Sequence, residues 1–206
     1  MHLSPILFLL VTSTTLPPSP SLPTTDDLKK AALLLQSVQS LSATMHQEKE
    51  LSLFGDVLKS SGQFAFQRPK KLRMDLSGPG GTILIINGDE MILHYKALQK
   101  TERHQLSRDS RSKAIAEHLF LLLDANPESL SKTYTIKVVQ ASPLKIQLTP
   151  KADALRKLIA TIDAEISNRG YVAQLVLNES NGDKTRWRFT EPVLNTPLDG
   201  ALFTFP

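Results

Sequence analysis

The sequence predicts a mainly β, α+β fold, with ten or eleven antiparallel strands arranged as a sandwich or barrel and two amphipathic helices. Three observations predict it. From Ala43 onward, apolar residues recur at every second position in one short run after another, which is the period of a strand with one buried face. Turn chemistry separates the runs, at Gly78-Pro79-Gly80-Gly81, Asn87-Gly88 and Asn181-Gly182, and short runs divided in this way read as strands joined by hairpins. Two segments carry helical spacing instead, and each needs a surface on which to bury its stripe.

The first helix opens at Thr24 or Thr25, with Asp26 and Asp27 in its first turn, where carboxylates suit the positive end of the helix dipole. Leu28, Ala31, Ala32, Leu35, Val38 and Leu41 form its apolar stripe. Strands are expected over 44–54, 57–67, 71–77, 82–86, 90–96 and 100–106, and the strand at 82–86 is apolar on both faces. A second helix follows, with Ile115, Leu119, Leu122 and Leu123 on one side, and Asn126-Pro127 ends it. Strands resume over 133–140, 144–148, 158–166, 171–179 and 184–190, with a short turn at 152–156. In the strand at 158–166, the expected inner set is Leu158, Ala160, Ile162, Ala164 and Ile166.

One stretch stands out, residues 62–76 (GQFAFQRPKKLRMDL). Phe64, Phe66 and Arg68 share one parity, so Arg68 projects from the apolar face. Pro69 lacks an amide donor and closes the strand. A guanidinium beside a buried face needs partners, because desolvating it alone is costly. Lys70, Lys71 and Arg73 are expected as solvated or membrane-facing charges.

The composition excludes several classes. The chain has 206 residues, a net charge of +4 and no cysteine. Disulfides, thiol catalysis, thiolate metal sites and acylation on a cysteine of this chain are therefore excluded. Basic residues are scattered apart from RPKKLR (68–73), so no nucleic-acid partner is expected. Ile6 to Val11 lies at the heart of an apolar run too short for a bilayer span of about 20 residues, and it fits the apolar region of a secretory signal. Residues 1–23 are read as a signal peptide with a Pro/Ser/Thr-rich segment, and residues 24–206 as a single domain.

A search for chemistry finds no catalytic constellation. The histidines are His2, His46, His94, His104 and His118, with no pair at i, i+4 and no HExxH; GxSxG, P-loop and GxGxxG motifs are absent too. Asp163 and Glu165 alternate with the apolar set and belong on a solvated face, as does His94. Trp187, the only tryptophan, suits either a core or a ligand platform. No catalytic residue, metal or cofactor is expected, and the chain is read as a non-enzyme. Its apolar interior is the remaining candidate for function: such a site can hold acyl chains, each buried methylene contributing about 0.8 kcal/mol.

The motifs taken in order, GxFxFxRPxxLRxD (62–75), LTPK (148–151), NESNGDKTRWRF (178–189), Asn195 and FTFP (203–206), resemble the LolA-type periplasmic outer-membrane lipoprotein carriers over about 26–206. The resemblance implies an unclosed antiparallel barrel of about eleven strands with a helical lid. It implies a monomeric periplasmic carrier whose cavity takes the acyl chains of lipoproteins from an inner-membrane ABC transporter (LolCDE-like) and passes them to an outer-membrane receptor (LolB-like). The family's lid-latching arginine corresponds to Arg68. Expected cavity residues are Phe64, Phe66, Leu72, Met74, Leu84, Ile86, Met91, Leu93, Tyr95, Leu119, Trp187 and Phe189. The same scaffold serves paralogues that sense lipoproteins or carry a glycolipid or pigment lipid, which is the second reading.

Overall fold

A computed structural model describes residues 25–124 and 126–205. The expected signal segment lies outside them. The chain opens with α1 (Thr25–Ser37), then runs through β1 (Ser40–Leu51), β2 (Asp56–Gln67), β3 (Lys71–Ser77), β4 (Thr82–Asn87), β5 (Glu90–Tyr95) and β6 (Lys100–Gln105). Two helices follow, α2 (Ser110–Asp124) and α3 (Pro127–Thr133). The remainder is β7 (Tyr134–Gln140), β8 (Leu144–Pro150), a single turn α4 (Asp153–Arg156), β9 (Ile159–Ile166), β10 (Val172–Glu179), β11 (Lys184–Leu194) and a 3-10 turn at Gly200–Phe203.

The strands form one 11-stranded sheet in the order β6-β5-β4-β3-β2-β1-β11-β10-β9-β8-β7. Every neighbouring pair is antiparallel. Long β1 sits at the centre, pairing with β2 on one side and β11 on the other. Edge strands β6 and β7 do not pair, so the barrel is unclosed. The chain passes from one edge to the other through α2 and α3, and these helices cover the concave face. Register breaks near Ser42/Thr44, Val138/Gln140, Val172/Gln174 and Asn178/Glu179 supply the local bends that curl a long sheet.

Two apolar clusters fill the concave side. One joins α1 and α3 to β7–β10 through Leu28, Leu35, Leu130, Tyr134, Ile146, Leu148 and Ile162. The other joins α2 to β1–β5 through Met45, Phe64, Phe66, Leu72, Ile86 and Met91. A third cluster lies on the convex side, where Phe203 packs on Ala65, Ile85 and Ile92. This explains why β4 is apolar on both faces: Ile86 faces the inner core, and Ile85 is covered by the C-terminal segment. Arg73 and Asn87 donate to the carbonyls of Leu202 and Phe203, at 3.1 and 3.3 Å, and hold that segment down. Arg73 is thus no solvated charge; it is half-buried and paired with Asp75 at 2.7 Å.

Several expected boundaries shift. Helix α1 ends at Ser37, so Val38 and Leu41 extend its buried stripe from the linker and from β1. Ile115 is 48% exposed and lies off the α2 stripe. Asn126-Pro127 starts a helix: the Asn126 side chain accepts from the Ser129 amide at 3.0 Å, with Pro127 in the first turn, the arrangement that favours helix entry. In β9 the inner set begins with Ile159, while Leu158 and Ala160 are exposed, because the register against β10 skips a residue there. Among the described residues, no helix is long and apolar enough to cross a membrane.

Candidate functional site

Beneath α2 the sheet leaves a cavity of about 170 Å³. Phe64, Leu72, Met74, Trp187 and Phe189 form one wall; Ile159, Ile162, Val172, Leu175 and Leu177 form the other; and His118, Leu119, Leu122 and Leu123 of α2 close it. Phe64 and Phe189 meet edge to face, with centroids 4.7 Å apart, a preferred aromatic geometry. A smaller void of about 20 Å³ lies beside it, bounded by Leu35, Val38, Leu41 and Phe66 at the end of α1. Gly170 borders this void with φ +83°, and a Cβ there would stand 2.4 Å from the Leu34 carbonyl oxygen, so only glycine lets the β9–β10 turn meet α1.

The polar atoms at the cavity margin are already bonded. The indole N–H of Trp187 donates to Gln47 Oε1 at 2.8 Å. The Tyr134 hydroxyl hydrogen-bonds to His118 Nε2. Burial lowers the His118 pKa and pushes that of Tyr134 up to about 12, so at neutral pH both are uncharged. Among the described residues, no buried side-chain nitrogen or oxygen lacks a partner. Such a wall offers apolar contact and little else; its fitting ligand is a hydrocarbon chain.

Arg68 sits where the two cover helices end. Its Nε donates to the Val38 carbonyl at 2.9 Å, and one terminal nitrogen donates to the Leu35 carbonyl at 3.2 Å. The other is paired with the carboxylate of Asp124, the last residue of α2. The guanidinium also lies over the Phe66 ring, 5.6 Å from its centroid. The linker between α1 and β1 is held from two sides. Gln39 accepts from the Arg68 amide at 2.9 Å, and its own amide donates to Asn195 Oδ1 at 2.7 Å.

Of the residues singled out in the sequence, Phe64, Leu72, Met74, Leu119, Trp187 and Phe189 line the larger cavity, and Phe66 lines the smaller. Ile86 and Met91 share their face but pack into core with Leu106 and Ala116, and half-buried Leu84 packs against that cluster. Leu93 and Tyr95 are half-buried further along β5 and reach neither void. The wall from β9 and β10, and His118 with its Tyr134 partner, were not singled out. Period-two alternation marks Ile162, Leu175 and Leu177 as face residues without saying which face residues border a void. Asp163 lies on the opposite face from Ile162, where its carboxylate accepts from Gln147 and Asn178 at 2.9 Å each.

Comparison with known proteins supplies a frame for this geometry. A family model described as outer membrane lipoprotein carrier protein LolA matches residues 36–206. An outer-membrane lipoprotein carrier protein from Pseudoalteromonas translucida (strain TAC 125) is 23% identical over 181 residues, covering 87% of this chain and 83% of the relative. One from Chromohalobacter salexigens is 24% identical over 182 residues, covering 88% and 83%. Among solved structures, a LolA superfamily protein from Nitrosomonas europaea aligns at 10% identity and TM-score 0.44, covering 90% of this chain and 99% of that one. A chain of the Pseudomonas aeruginosa MucA/MucB complex aligns at 12% identity and TM-score 0.48, covering 88% and 60%.

Proposed function

This chain belongs to the LolA family of outer membrane lipoprotein carriers, and from that premise we propose that it is a periplasmic carrier. In this reading it holds the acyl chains of lipoproteins under its helices and moves them from the inner to the outer membrane. The observation that carries the reading is the cavity itself: thirteen apolar side chains and one already-bonded imidazole enclose about 170 Å³. That volume is below the roughly 300 Å³ at which small-molecule pockets begin. A long acyl chain therefore enters only if α1 and α2 move away from the sheet.

Arg68 is the residue that resists this movement. It is the latch of the proposal, because it ties the ends of both helices to the strand that carries Phe64 and Phe66. Its bonds can be exchanged for water once the cover lifts, which gives the cover two states that a ligand can select between. Cargo would arrive from a LolCDE-like transporter and leave to a LolB-like receptor, with the carrier acting as a monomer and performing no turnover.

The test is direct. Protein purified from the periplasm should release lipid or lipoprotein on denaturation, read by mass spectrometry, and should extract lipoproteins from spheroplasts. Empty protein that extracts nothing would refute the carrier reading. Depletion that alters an envelope stress response while lipoprotein sorting stays normal would favour sensing instead.

A further inference from the structure

One end of the sheet exposes apolar tips. The β1–β2 turn presents Leu53 at 84% and Phe54 at 70% exposure, and Leu158, just before β9, is 67% exposed. The tips belong to one platform. The Ser52 amide donates to the Asp183 carboxylate at 2.9 Å, and the Ser52 hydroxyl lies 3.0 Å from the Asn181 carbonyl. The Ser180 amide in turn donates to the Leu158 carbonyl at 3.0 Å. The platform borders the cavity, since Leu158 is followed directly by Ile159 of the cavity wall.

Two observations select the occupant. The first is charge. Residues 49–57, 151–158 and 179–184, which build this end, hold equal numbers of basic and acidic side chains. Arg156 is paired with Asp153, and Lys184 lies 3.9 Å from Glu50. A strongly charged partner therefore finds no complement here. The second is the backbone of the tip. The amides of Phe54 and Gly55 both donate to the Leu51 carbonyl, at 3.2 and 2.9 Å, and the Ser52 amide is bonded to Asp183. Bonded amides at 52, 54 and 55 lower the cost of moving the turn from water to lipid, and Leu and Phe are side chains that bury at the acyl boundary.

We propose that this end of the barrel docks on an uncharged lipid bilayer, with Leu53 and Phe54 set among the acyl chains and Leu158 against the surface beside the cavity. Docking needs no cargo in the cavity, so it stands or falls separately from the carrier reading.

The chain has no cysteine, so single labels can be placed cleanly. Full-length Leu53→Cys, Leu158→Cys and, at the opposite end, Val139→Cys would each carry an environment-sensitive fluorophore and be mixed with phosphatidylcholine vesicles. Emission should rise and shift to the blue at 53 and 158 and stay flat at 139. Adding Leu53→Ser with Phe54→Ser to the chain labelled at 158 should weaken its vesicle response about tenfold, and high salt should leave the response unchanged. No response at 53 and 158, an equal response at all three positions, or loss of binding in high salt would overturn the proposal; the first outcome would leave the tips to a protein partner.

Discussion

The guanidinium of Arg68, one residue past β2, is paired with the carboxylate of Asp124, the last residue of α2. An aspartate at a helix C-terminus faces the negative end of the helix dipole and is unfavourable there on its own. Arg68 offsets that charge and also binds the carbonyls of Leu35, in α1, and Val38, in the linker that follows it. Its side chain is 21% exposed, so these bonds form in a largely desolvated place, where charged hydrogen bonds are stronger than at the surface. One residue thus couples both cover helices to the sheet.

Arg68→Leu should loosen the cover and leave the sheet folded. A hydrogen bond to a charged group is worth about 1.5–3 kcal/mol; partial exposure and the cost of burying the cation reduce the net loss to about 2 kcal/mol. Hydrogen exchange followed by mass spectrometry should speed up in α1 and α2 with little change in β1–β3. Global unfolding would instead make Arg68 a structural residue.

Asp109 caps α2. Its carboxylate accepts from the Arg111 and Ser112 amides at 3.0 and 3.1 Å and from the Ser112 hydroxyl at 2.7 Å. The Ser112 hydroxyl and amide, with smaller help from His104, hold its pKa at about 2. Asp109→Ala should remove this N-cap and destabilise the chain, read as a lower unfolding midpoint in urea. The stabilisation is present above the ordinary carboxylate value of 3.8 and is lost as the pH falls through about 2.

Through His118, too, stability falls as the pH drops, here because burial disfavours the charged imidazole. Burial lowers its pKa below 6.5, so as the pH drops the unfolded chain takes up that proton first. Stability is therefore full above about pH 6.5 and declines below it, until the folded imidazole titrates as well. Thermal melts across this range should show a slope that His118→Gln flattens.

Leu175→Trp tests the cavity by volume. Leu175 is half-buried and faces the void from β10, opposite Trp187. The larger ring should fill space meant for ligand and lower affinity for a fluorescent fatty acid about tenfold, while overpacking costs about 1–3 kcal/mol of stability.

How much of this was legible in the sequence depended on the physical signal. Alternation located all eleven strands, and parity alone put Arg68 on the face of Phe64 and Phe66. Helix α3 is hidden because Asn126-Pro127 fits a helix stop and a helix start equally well, and here Asn126 is the cap. Alternation assigns Leu158 to the inner face only under unbroken register, and the bulge opposite Asn178/Glu179 breaks it. Ile86 and Met91 share the inner face with Leu72, yet Leu106 and Ala116 pack over that end of the sheet. Parity names a face; where the helices settle decides which part of that face stays hollow. The two-sided apolarity of β4 was visible, but its cover comes from Phe203, 118 residues after Ile85.

The central claim is that the cavity takes acyl chains, and the chain carries its own reporter for it. Trp187 is the sole tryptophan and lines the void. Titration with a fatty acid brominated along its chain should quench Trp187 emission saturably, with one chain bound per protein. Trp187 emission that stays unquenched while the sheet remains folded would contradict the account.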